Sequence, residues 1–371
     1  MKKILAVILT YISYFFVLLL VLSYLSVHIS PVHFWPLAFL GLIFPFILLV
    51  NIIFLIFWLI KWKKTAFLIL VALLMGINHI NNTLPNFFKG KPELENKNKP
   101  DLKILSYNVR AFNIYEWMTD PNTNKGIFNF IRSEHPDVVC IQEFFTSNKT
   151  EFSPRRYSRV FGETPYSHIE FAKRENPNTG FGIATFSKYP VVNRGTIFKY
   201  GGNQGMYTDI LFGNDTIRII NCHLQSLNLK LRNYKFLDSL RIRYDEQQIR
   251  EFQDLSLRIK TAFEKRAGQA DKISEAIKKS PHPVVLCGDF NDTPVSYAYQ
   301  KIKGSMLDAW EVAGRGRGNT YRGRFSFRID YILYEPYFTA TDFERVKTQL
   351  SDHYPIMTIL HRNHKSAKEH K

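Results

Sequence analysis

The sequence predicts a strand-rich α/β sandwich carried behind an N-terminal membrane segment. Three observations point there. The first 80 of 371 residues hold no Asp or Glu and are almost continuously apolar. From Leu102 onward, short runs dense in Val, Ile, Leu, Phe and Tyr alternate with polar stretches. The ends of those runs carry a recurring set of carboxylates, carboxamides and histidines.

A chain of 371 residues suggests about two structural units. The expected division is a membrane segment over 1–80, a linker over 81–101 and a folded domain over 102–371. The runs Ile4–Val27 and Phe34–Ile60 are each long enough for a bilayer core, which needs roughly 20 apolar residues. A third run, Ala66–Ile80, is short for a span. A signal peptide fits the first run poorly, because a second apolar run follows at once and no small-residue cleavage site stands between them.

The only cationic side chains in this segment are Lys2, Lys3, Lys61, Lys63 and Lys64. The loop between the first two runs, "HISPVH", carries none. Positive charge stays inside, so both lysine clusters are expected in the cytoplasm. Three spans, the expectation adopted here, place the rest of the chain outside the cytoplasm; two spans would keep it inside.

Cys140, Cys222 and Cys287 each lie in an apolar run, and an odd count without framework spacing argues for buried thiols. Net charge is +17, of which +12 remains once the five front lysines are removed. Such a balance favours anionic partners: nucleic acid, phospholipid head groups or a membrane surface.

"NNTLPNFFKGKPELENKNKPD", Asn81–Asp101, has linker composition. Strands are expected at "LKILSYNV", "PDVVCIQEF", "GFGIATFSKYPVV", "TDILFGNDTIRIINCHL", "HPVVLCGDFN", "RIDYILY" and "YPIMTILH", with a hairpin turn at "FGNDT". A helix is expected at "KGIFNFIRSEH". Another is expected over about 230–279, where Leu237, Leu240, Ile242, Ile249, Phe252, Leu255, Leu257 and Ile259 recur at near-helical spacing. It reads as an amphipathic helix on the sheet, or as a basic helix near a bilayer. The glycine-rich loop Gly314–Arg328 carries five arginines with aromatics between them and suits either solvent or phosphates.

The strand ends supply Asn108 and Arg110, Gln142 and Glu143, His223, Asp289 and Asn291, Asp330, and Asp352 with His353. Each alone reads as a loop cap. Gathered at one edge, the acids would repel one another without a counter-charge, and oxygen ligands of this kind suit a hard cation such as Mg²⁺, with Mn²⁺ as the substitute.

The ordered set "SYNVR", "QE", "GIATFSKYP", "HLQS", "GDFN", "IDYIL" and "SDHYP" resembles the endonuclease/exonuclease/phosphatase superfamily over residues 102 to about 361. That superfamily includes DNase I-like nucleases, abasic-site endonucleases, neutral sphingomyelinases and inositol-polyphosphate 5-phosphatases. The resemblance implies a DNase I-like four-layer α/β/β/α sandwich and a Mg²⁺-dependent hydrolase of phosphoester bonds. It implies that Glu143, Asn108 and Asp352 hold metal, and that His353 is the general base oriented by Asp330. Asp289 and Asn291 would position or activate the attacking water, with Asn291 also on the phosphoryl oxygens. His223 would stabilise phosphate or protonate the leaving oxygen, and Arg110 would touch substrate.

The resulting expectation is a multi-pass, membrane-anchored phosphodiesterase acting by in-line attack of water, with nucleic acid ahead of phospholipid because of the basic loop and overall charge. The alternatives are a phospholipid or sphingomyelin phosphodiesterase, an inositol-phosphate phosphatase and, from another class, a non-catalytic membrane-tethered binding module. No protein partner is expected.

Overall fold

Alternating burial along the strands builds the larger unit. A computed structural model describes residues 2–84, 101–147, 152–153, 156–157, 161, 164–176, 179–227, 246–323 and 326–363. In β1 (Leu102–Asn108) and β2 (Val138–Thr146), Ile104 and Cys140 face one apolar core while Leu105, Tyr107, Val139 and Ile141 face another. Side chains at successive strand positions point to opposite faces, so each strand serves two layers.

The first sheet adds β3 (Tyr166–Asn176), β4 (Thr179–Ser187), β11 (Phe338–Arg345) and β12 (Ile356–Arg362), in the order β11-β12-β1-β2-β4-β3. The second holds β5 (Val191–Tyr200), β6 (Asn203–Phe212), β7 (Asp215–His223), β8 (Val284–Asp289), β9 (Leu307–Asp308) and β10 (Asp330–Tyr334), in the order β5-β6-β7-β8-β10-β9. Both sheets are mixed: β1 runs parallel to β2 and antiparallel to β12, and β7 runs parallel to β8.

Between the sheets lies a core of Ile104, Cys140, Ile217, Ile219, Val285 and Ile332. On the far side of the first sheet, Ile127, Phe128 and Ile131 of a flanking helix, Thr123–Ser133, close the second core. The result is two mixed sheets flanked by helices, the α/β sandwich the sequence predicts. All three cysteines are buried free thiols. The hairpin at "FGNDT" is present, with Phe212 paired to Asp215 and Gly213 at φ +65°, a left-handed conformation that glycine adopts without strain.

Among the described residues there are twelve strands, more than the sequence marks. It misses or truncates the four sheet edges, β3, β5, β9 and β11, and it marks the interior β6 only from Thr208, leaving out 203–207. An edge strand is covered less and keeps polar residues on its open side, so its apolar signal is weak. In β11 the burial thins out after Ala340, where the register also shifts.

A polar tie joins the sheets beneath one rim. Gln142 on β2 donates to Asn221 Oδ1 on β7 at 2.8 Å, and Asn221 Nδ2 donates to the Ala184 carbonyl on β4 at 2.9 Å. Both side chains are fully buried, so the amides find partners across the sheets.

A second unit comprises Met1–Leu84, Ser226–Ala270 and Asp292–Lys301. Its helices are α1 (Lys2–Tyr24), α2 (Pro31–Leu42), α3 (Phe44–Ile60), α4 (Thr65–Met75) and α5 (Ile77–Thr83). The stretch Ile4–Val27 is long and apolar enough to cross a membrane. The second predicted run breaks at Ile43, giving a 54° bend between α2 and α3, because Pro45 lacks the N–H that would continue the helix. The third bends by 67° at Gly76, whose missing side chain makes room for the ring of Tyr24. Counting each bent pair as one span gives up to three crossings.

The helices are joined by polar contacts: Trp58 Nε1 donates to Ser13 Oγ at 2.8 Å, and Asn51 Nδ2 to the Phe16 carbonyl at 3.1 Å. Large apolar side chains such as Ile4, Phe15, Ile53, Ile56, Phe67 and Leu74 point outward and are exposed. The described part of the charged stretch forms one long helix, α7 (Glu246–Lys278), counting the Thr123–Ser133 helix as α6. Leu255, Ile259 and Phe263 of α7 bury against Ala38 and Leu42 of α2, while Ile249, Phe252 and Leu257 are exposed. Leu237, Leu240 and Ile242 lie outside the described residues.

Replacing Asn221 by Leu removes the 2.8 Å acceptor of the Gln142 amide and leaves it the longer contact to Ser106 Oγ at 3.3 Å. The change should cost about 1–3 kcal/mol, lowering the unfolding midpoint in detergent by roughly 2–10 °C. Thermal denaturation of the full chain beside the wild type checks it.

Candidate active site

Three strand ends of the second sheet form a row. Register pairs His223 on β7 with Asp289 on β8, and Asp289 with Asp330 on β10. On the first sheet, β1 ends at Asn108 beside Gln142 of β2, and the register of β2 shifts between Ile141 and Phe144. At this irregularity Glu143 takes a left-handed conformation, φ +50°. The bulge separates the neighbours: Gln142 turns into the inter-sheet tie and Glu143 reaches the rim.

Asn108 joins the two sheets. Its Nδ2 donates to Glu143 Oε1 at 3.1 Å and to Asp289 Oδ2 at 3.0 Å, and its Oδ1 accepts from the Arg110 backbone at 3.1 Å. His223 Nε2 stands 3.8 Å from Glu143 Oε1 and 3.7 Å from Asp289 Oδ2. Asn291, at φ +53°, donates its backbone N–H to Asp289 Oδ1 at 2.8 Å and its side-chain amide to the Leu224 carbonyl at 3.1 Å.

His353 and Asp330 form a buried pair. Nδ1 of the imidazole lies 2.9 Å from Asp330 Oδ2, which leaves Nε2 facing Asp289 Oδ2 at 3.7 Å. Thr320 Oγ1 accepts from the Asp330 backbone at 3.1 Å and fixes the start of β10.

Asp352, next in chain to His353, reaches the cluster by a different route. Its Oδ2 lies 3.4 Å from Arg110 Nη1, and the preceding Ser351 hydroxyl donates to the Asn108 carbonyl at 2.8 Å. Of the nine residues singled out in the sequence, all thus join one connected network. Gln142, the strand-end amide given no role, points away from it.

The electrostatics follow from burial. Burial pushes the Asp289 carboxyl up, and the charge of Asp330 adds to the rise; His353, His223 and the Asn108 amide oppose it. For His353, burial favours the neutral ring, but Asp330 and Asp289 outweigh it and carry the imidazole up to about 10. The charge of the surrounding carboxylates therefore holds a proton on His353. By linkage, that contribution to stability is complete below the ordinary value of 6.5 and disappears as pH rises towards about 10.

The donor set suits a hard divalent cation. Asp289, Asp330 and His353 bring ligand atoms within 4.8 Å of one another, and Glu143 Oε1 and Asp289 Oδ2 share a single amide donor between them. The tight triad differs from the set Glu143, Asn108 and Asp352 that the resemblance implies. Nδ1 of His353 is already committed to Asp330, which favours the oxygen side of the rim, at Glu143 and Asp289, for the cation.

Sequence reasoning missed Ser351, Thr320 and the Leu224 carbonyl. Ser351 stood in view at the head of "SDHYP". Thr320 sits in a glycine-arginine loop with no chemical pattern, and a backbone carbonyl leaves no residue-type signal. In that same loop, Arg328 is buried against Asp308 and stacks on Trp310, and Arg322 donates to the Ser351 carbonyl at 2.8 Å. Two of the five arginines are therefore structural.

Residues 2–83 match a family described as a domain of unknown function. Residues 105–353 match the Endonuclease/Exonuclease/phosphatase family. No curated protein matches the chain. Among solved structures, the fold is similar to an endonuclease/exonuclease/phosphatase from Beutenbergia cavernae DSM 12333, at 16% identity and TM-score 0.50, over 71% of this chain and 72% of that one. It is similar to an endonuclease/exonuclease/phosphatase from Bacteroides vulgatus at 19% identity and TM-score 0.50, over 71% and 100% of the two chains. The human Nocturnin catalytic domain, solved with a bound sulfate anion, is similar at 15% identity and TM-score 0.50, over 71% and 94%. With a family match across more than half its length, the chain belongs to the endonuclease/exonuclease/phosphatase family, a family of phosphoester hydrolases.

Proposed function

We propose that the chain is a membrane-anchored, divalent-metal-dependent phosphodiesterase, with nucleic acid as its favoured substrate. The observation that carries this reading is the Asn108 amide, which draws Glu143 and Asp289 together beside the His353–Asp330 pair. The membrane segment is assigned to 1–80 and the catalytic domain to 102–371, with 81–101 between them.

Glu143 and Asp289 would hold the cation, with Asn108 and Asp352 completing the acidic edge. Mg²⁺ is the expected ion and Mn²⁺ its substitute; when bound, it would neutralise charge on the phosphoryl oxygens. Asp330 fixes the tautomer of His353, leaving Nε2 as the nitrogen that takes the proton of the attacking water. That base must be neutral, so the carboxylate charge that holds its proton has to be offset in the working enzyme. Asn291 and Asp289 orient the water, and His223 lies where it can protonate the departing oxygen. Arg110, tethered to Asp352, offers a cation to the substrate.

Phospholipid is the second reading, and the exposed Ile249, Phe252 and Leu257 on α7 favour it. Hydrolysis confined to lipid vesicles would select it, whereas salt-sensitive hydrolysis of DNA or RNA selects the first.

For localisation, we propose three spans with the catalytic domain outside the cytoplasm. The lysine clusters at the start of the first run and the end of the second support this.

His353→Ala should lower kcat on a phosphodiester by about 10²- to 10⁴-fold, and EDTA should abolish turnover until Mg²⁺ is restored. An unchanged rate in His353→Ala would reject His353 as the base, and no turnover by the wild type on any phosphoester tried would leave the binding-module alternative. A C-terminal alkaline phosphatase fusion should be active and a green fluorescent protein fusion dark; the reverse pattern would place the domain in the cytoplasm.

A further inference from the structure

The turn that follows Asn108 carries a pair of aromatics that the mechanism leaves unused. Arg110, Ala111, Phe112, Asn113 and Glu116 all take positive φ, between +46° and +62°, a conformation costly for residues other than glycine. The turn is pinned at two points. Phe112 is buried against Phe128 and Phe144, with ring centroids 5.1 and 5.8 Å away. Asn113 Oδ1 accepts from the Met118 backbone at 2.8 Å, closing the loop.

This fixed turn holds two large rings in solvent. Tyr115 is 55% exposed and Trp117 48% exposed, with centroids 4.9 Å apart, and Tyr115 lies parallel to Phe181. The pair is joined to the active site by one side chain: the Arg110 guanidinium sits 4.7 Å over the Trp117 ring and 3.4 Å from Asp352. A strained backbone that exposes two aromatics beside an acid of the rim is not explained by core packing.

We propose that Tyr115 and Trp117 form a stacking shelf for a nucleobase adjoining the phosphate held at the rim, so that the substrate is a single-stranded nucleic acid. This rests on the nuclease reading above. Exposed ring faces accept any base without hydrogen-bond readout, and a guanidinium resting on the same ring adds attraction for the neighbouring phosphate. An acyl chain would find two tilted rings and a cation there. The charge of +17 fits a polyanion.

The test uses the full chain in detergent micelles with two probes: a single-stranded DNA oligonucleotide containing 2-aminopurine, and an abasic strand of equal length with the same phosphates. Trp117→Ala and Tyr115→Ala should raise KM for the base-bearing strand about tenfold to a hundredfold, while KM for the abasic strand moves no more than about twofold. Trp117→Phe should recover most of the loss. Wild-type protein in EDTA should alter 2-aminopurine fluorescence, and Trp117→Ala should not. An equal rise on both strands would show a merely structural turn and overturn the shelf, as would no change on either. In both cases cleavage of DNA by the wild type would leave the nuclease reading standing. Hydrolysis of lipid vesicles without any cleavage of nucleic acid would remove both together.

Discussion

One side-chain amide sets the geometry of this protein. Asn108 leaves the end of a strand in the first sheet and donates to carboxylates from both sheets, Glu143 and Asp289. Carboxylates brought this close repel one another, and a neutral donor between them relieves only part of that repulsion. Everything else at the rim answers the remaining charge. His353 keeps a proton between Asp330 and Asp289, His223 turns its Nε2 towards Glu143 and Asp289, and Arg110 turns towards Asp352. Such a site is held in place against the mutual repulsion of its carboxylates.

The scaffold keeps that charge cluster from dispersing. Beneath the rim, the buried Gln142–Asn221 contact locks the relative position of the sheets. At the rim itself, left-handed backbone at Glu143 and Asn291 directs two side chains that regular strand geometry would aim elsewhere. Local strain at such positions persists only where the surrounding packing fixes it. The same device recurs in the turn after Asn108, where it presents Tyr115 and Trp117.

Much of this was legible in the sequence, for identifiable reasons. Interior strands such as β1, β2, β7 and β8 are apolar on both faces and announced themselves. The edges β3 and β11 did not, because partial cover permits polar residues there. The candidate site residues stood out in the sequence because each falls at or within a few residues of the end of a well-marked strand. What could not be read was which way each would turn. Gln142 and Glu143 look alike in "QEF", and only the bulge sends one inward and the other to the rim. Exposed aromatics in a strained turn leave no periodic signal at all. In the N-terminal segment the apolar runs were plain, whereas the bends at Ile43 and Gly76 depended on Pro45 and on the fit of Tyr24.

The claim that governs the rest is that Glu143 and its neighbours share one divalent cation. Mn²⁺ binding to the full chain, followed by electron paramagnetic resonance of the free ion, tests it most directly. Saturable binding that Glu143→Gln weakens by about tenfold or more, with the fold intact by circular dichroism, is the expected result. Binding of equal strength in Glu143→Gln, or none to the wild type, would contradict it.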